Sequence, residues 1–67
     1  MLFRALVFGT RLIRRGDRAD SVLLATNTQP AREPCGEGEH WRFRDAGTIT
    51  TFIIRSRRIV SIEQRAA

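Results

Sequence analysis

The sequence predicts an all-β domain of four to five short antiparallel strands, curled into a small barrel or a strongly bent sheet. Two observations predict it. Residues 40 to 62 alternate apolar and polar side chains with a period of two over most of their length, and β-branched or aromatic residues are concentrated there. The chain also has only 67 residues, so it forms one domain, residues 1–67, with a thin core that favours self-association into a dimer or larger homo-oligomer.

Taken in order, Leu2 to Ile13 is the most ambiguous stretch. Val7, Phe8, Thr10 and Ile13 favour a strand, whereas Arg4, Arg11 and Arg15 would stack on one helical face. Gly9 would cost about 1 kcal/mol inside a helix, which tips the reading to a strand. Arg14, Arg15, Gly16, Asp17 and Asp20 supply turn chemistry. Ser21 to Thr26 (SVLLAT) then reads as a second, buried strand that forms a hairpin with the first. Arg15-Gly16-Asp17 spells an adhesion tripeptide, but in this setting it is ordinary turn sequence.

Residues 27 to 39 (NTQPAREPCGEGE) hold both prolines, two of the five glycines and three acids, without apolar periodicity. They are expected to form a long, mobile acidic loop. In His40 to Arg44 the rings of Trp41 and Phe43 fall on one sheet face, and His40, Arg42 and Arg44 fall on the other. A three-residue turn at Asp45 to Gly47 would pair Phe43 with Ile49 and Trp41 with Thr51. A two-residue turn at Ser56 and Arg57 would pair Ile53 with Val60 and Thr51 with Ile62. Phe52, Ile54 and Ile59 would then lie on the opposite face. Apolar residues on both faces call for a barrel, SH3-like or Sm-like in architecture alone, or for a second copy as cover.

Twelve arginines, no lysine and seven acids give a net charge of +5. That balance suits an acidic partner, and the planar guanidinium suits phosphate and stacked bases. The leading expectation is nucleic-acid binding, with RNA preferred for its unpaired bases, through Trp41, Arg42, Arg44, Arg55, Arg57 and Arg58. The alternative is a small protein of the kind phages and mobile elements encode, which binds and modulates an acidic host protein.

Other chemistry has little support. Cys35, Glu37, Glu39 and His40 lack the four-ligand N/S spacing of structural zinc sites, so no metal is expected. Cys35 and His40 lack an orienting third group, so the chain does not read as an enzyme. No Gly-rich phosphate loop points to a cofactor. No apolar run is long enough to span a bilayer, and one cysteine suits a reducing, cytoplasmic setting.

Overall fold

The computed structural model describes residues 1–67. Strands β1 (Leu2–Phe3), β2 (Ala5–Phe8) and β3 (Arg11–Arg14) come first, followed by helix α1 (Asp20–Ala25). Strands β4 (Ala31–Cys35), β5 (Gly38–Asp45), β6 (Thr48–Arg55) and β7 (Arg58–Ala66) complete the chain. The main sheet is antiparallel in the order β1-β7-β6-β5-β4, while β2 and β3 form a separate two-stranded sheet. The molecule is therefore mostly β, but β1 and β4 remain open edges and the barrel does not close. No helix is long and apolar enough to cross a membrane.

The first thirteen residues are extended, as the β-branched and aromatic content predicts, but their partner differs from the expected one. A bend at Arg4 separates β1 from β2, and Gly9 and Thr10 form the two-residue turn that folds β3 back onto β2, with Phe8 opposite Arg11. Gly9 has φ +59°, and a Cβ there would lie 2.0 Å from the carbonyl oxygen of Ala25. The turn sits that close because Thr10 donates both its N–H (2.9 Å) and its hydroxyl (3.3 Å) to this oxygen, capping the end of α1.

Ser21 to Thr26, expected as a strand, is helical through Ala25. The spacing accounts for it: Ala19, Val22 and Ala25 recur every three residues and are buried, while Leu24 is exposed. A second correction concerns residues 27 to 39. Ala31–Cys35 is an edge strand antiparallel to β5, with only Gly36 and Glu37 between Cys35 and Gly38. Pro34 is compatible with this because an edge strand has one side without ladder bonds.

The β5–β6–β7 meander forms as expected, but its register is shifted. The turn after β5 has two residues, Ala46 and Gly47, both at positive φ, so Phe43 faces Thr50 and Trp41 faces Phe52. A one-residue slip sends the opposite set of side chains inward. The Ser56–Arg57 turn has the expected two residues, but a bulge at Ile53/Ile54 leaves Val60 without a partner. Ile59 and Ile62 can thus share one face, Phe52 lies opposite Ile62, and Val60 is 38% exposed.

The β2–β3 hairpin and α1 cover that inner face. Phe8, Phe43 and Phe52 form an edge-to-face triangle with centroids 4.8, 5.0 and 5.9 Å apart. Ile13, Val22, Ile54, Ile59 and Ile62 complete the core around it. On the outer face, Ile49 lies between Arg44 and Arg65 in the register and is still buried. Long arginine side chains in such positions can lay their aliphatic stems over an apolar neighbour.

Candidate functional site

The structure divides the six residues that the sequence singles out. Arg42 is half-buried on the outer sheet face and pairs with Glu33 at 3.3 Å. Arg44 is exposed on that same face, near the start of β6. Arg55, Arg57 and Arg58 are exposed around the turn at the far end of β6, six residues and about 20 Å further along the strand. The six do not form one surface.

Trp41 requires a correction. Its ring does face away from Arg42 and Arg44, as the alternation predicts, but that face is the core, and Trp41 is 6% exposed. The guanidinium of Arg32 lies 4.4 Å from the ring centroid, and the indole N–H donates to Glu39 Oε2 at 3.1 Å. A ring so covered has no face left for a base. Phe43 and Phe52 are also buried and Phe3 and Phe8 half-buried, so none of the five aromatic rings forms an exposed stacking platform.

A different constellation emerges at the end of the molecule that holds the β6–β7 turn. The loop after β3 is stitched to it through the backbone. Gly16 N–H donates to Ile59 O at 2.7 Å, Ile59 N–H to Asp17 O at 2.9 Å, and Ala19 N–H to Arg57 O at 2.9 Å. Arg18 and Arg58 form an isolated antiparallel bridge, and the Arg58 side chain donates to Gly16 O at 3.2 Å. Arg15 N–H donates to Arg4 O, which ties in the bend between β1 and β2. Arg4, Arg14, Arg15, Arg18, Arg55, Arg57 and Arg58 are thereby gathered at one end, all exposed.

Four acids accompany them: Asp17 and Asp20, and also Glu37 and Glu39, which the β4–β5 turn brings beside Ser56 and Arg57. Asp17 accepts the backbone N–H of Arg14 at 2.9 Å, and Asp20 lies 4.0 Å from Arg18 with both side chains largely in water. Such an exposed pair contributes little. Seven arginines against these four acids leave a net charge of +3 at this end, more than half of the +5 of the chain. Arg4, Arg14 and Arg15 also border a shallow depression with Ala5 and the bulged Val60 on its wall.

Sequence reasoning found three of these seven arginines and missed Arg4, Arg14, Arg15 and Arg18. The turn at residues 14 to 17 was legible, but its docking against residues 57 to 59 depends on backbone bonds between segments about forty residues apart. Local pattern carries no signal of that kind.

Cys35, Glu37, Glu39 and His40 are dispersed. Glu33, Cys35 and His40 fall on the outer side of the sheet by register, Glu39 turns inward to Trp41, and no three metal-binding side chains come together. Comparison with family models, with curated proteins and with solved structures finds no match to this chain.

Proposed function

We propose that the chain is a non-enzymatic binding module that holds the phosphate backbone of nucleic acid against its arginine-rich end. The observation that carries this reading is the gathering of seven of the twelve arginines, all exposed, at one end of a small domain. Condensed counterions released from a polyanion by such a patch supply most of the affinity of non-specific nucleic-acid binding. Arg in place of Lys adds bidentate geometry toward phosphate oxygens. The preference for RNA anticipated from Trp41 loses its basis, because that ring is buried.

A salt titration of binding to nucleic acid tests the reading. The log-log slope should be several units, and removing one of the clustered arginines should lower it by about one. Removing Arg42, already paired with Glu33, should leave it nearly unchanged. Absence of binding at low salt overturns the proposal.

A second reading, in which an acidic protein docks on the same end, draws on Val60. An exposed apolar side chain beside three arginines is the composition of a small protein-binding patch. A nuclease-resistant protein partner whose affinity is lost on Val60→Asp would favour it.

A further inference from the structure

We infer that the nucleic acid held at this end is double-stranded and is gripped without regard to sequence, an inference that rests on the phosphate-binding reading above. Proteins that prefer single strands stack bases on exposed rings, at about 1–3 kcal/mol per base. This chain offers no such ring: Trp41 lies under Arg32, and Phe43 and Phe52 are in the core. What remains is attraction to phosphate, and that grows with phosphate density. A duplex presents one charge per about 1.7 Å of axis, against about 3.4 Å for either strand alone.

The scaffold points the same way. The two arginine-bearing turns are joined by three backbone hydrogen bonds and by the Arg58 side chain on Gly16 O. Their charges are thus displayed from a preorganised frame, which suits a stiff rod better than a strand that must be ordered on binding. Sequence reading needs side chains that enter a groove and discriminate donors from acceptors. The arginines of residues 14 to 18 and 55 to 58 stand at or beside tight turns, with no helix among them to lie along a major groove and aim them at guanine edges, and no Asn or Gln is there to read adenine.

The test uses the full chain and three labelled probes in fluorescence anisotropy at one salt concentration. These are a duplex of about 24 base pairs, which is stiff on this length scale, one of its isolated strands, and a duplex of shuffled sequence. The duplex should bind about tenfold tighter than its strand, and shuffling should change affinity by less than about twofold. An isolated strand that binds as tightly as the duplex overturns the inference while leaving phosphate binding intact. A shuffled duplex that loses most of the affinity overturns its sequence-blind part. If no probe binds, the phosphate-binding reading falls with it. Replacing Arg15 and Arg57 together, as Arg15→Gln and Arg57→Asn, should weaken the duplex more than the strand; the reverse order counts against the inference.

Discussion

Arg18 and Arg58 face each other across an isolated β-bridge, and the Arg58 guanidinium donates to the carbonyl of Gly16 rather than to a carboxylate. Two like charges are thus fixed side by side by backbone bonds, with Arg57 next in sequence. Their repulsion is a standing cost to the free domain that a polyanion would remove. Screening should remove it too, since the Debye length falls from about 30 Å at 0.01 M to about 3 Å at 1 M salt. Arg58→Gln is therefore expected to raise the melting temperature at low salt by a few degrees, with the difference shrinking as sodium chloride is added. Melts by circular dichroism across a salt series check this. A variant less stable at every salt concentration would mean that the Gly16 contact outweighs the repulsion.

Arg57 separates binding from folding more cleanly. It sits in the left-handed region at φ +65°, where asparagine is better tolerated than a long side chain, and the hydrogen bond that anchors it uses its backbone carbonyl. Arg57→Asn should keep or slightly raise stability while lowering the salt slope of nucleic-acid binding by about one. Paired melts and anisotropy titrations provide the comparison. A slope equal to that of the parent chain would place Arg57 outside the contact.

The fold was legible where strand period and turn chemistry act locally. Alternation in His40 to Arg44 sorts rings from cations correctly, and the Ser56–Arg57 turn has its expected length. It was illegible where one residue decides the outcome. Ala46 and Gly47 close the hairpin without Asp45, which turns Phe52 inward, and the bulge at Val60 brings Ile62 to the same side. Helix α1 spans six residues, too few for periodicity to separate from a buried strand, and β4 is disguised by Pro34 and its flanking glycines. The site was half legible for a related reason: composition announces the charge, but only tertiary bonds decide which arginines share a surface.

Trp41 offers a direct optical test of this arrangement, because it is the single tryptophan of the chain. Buried beneath Arg32, it should emit on the blue side of free tryptophan and resist acrylamide quenching. Saturating the protein with duplex should leave both properties unchanged, since Arg32 and the core already cover the ring. Strong quenching on addition of nucleic acid would instead place bases against Trp41, as the sequence alone had suggested.

Gly9 joins the two layers of the fold at a point that no other residue fits. It supplies the positive φ at the first position of the β2–β3 turn, the place where a type II′ hairpin turn takes glycine. The same turn closes on the Ala25 carbonyl so tightly that a methyl group would overlap it. Alanine therefore meets two separate penalties, the left-handed backbone at about 1–2 kcal/mol and the loss or displacement of the Thr10 bonds that cap α1 at about 1 kcal/mol. For a domain whose core supplies only about 3–5 kcal/mol, a cost of this size should populate the unfolded state visibly at room temperature. Urea denaturation of Gly9→Ala should show a lowered midpoint with an unchanged slope. Thr10→Val should lose less, since it removes the hydroxyl bond and spares the backbone one. If Gly9→Ala melts with the parent, the turn does not seat on the helix end and the hairpin is free to move relative to α1.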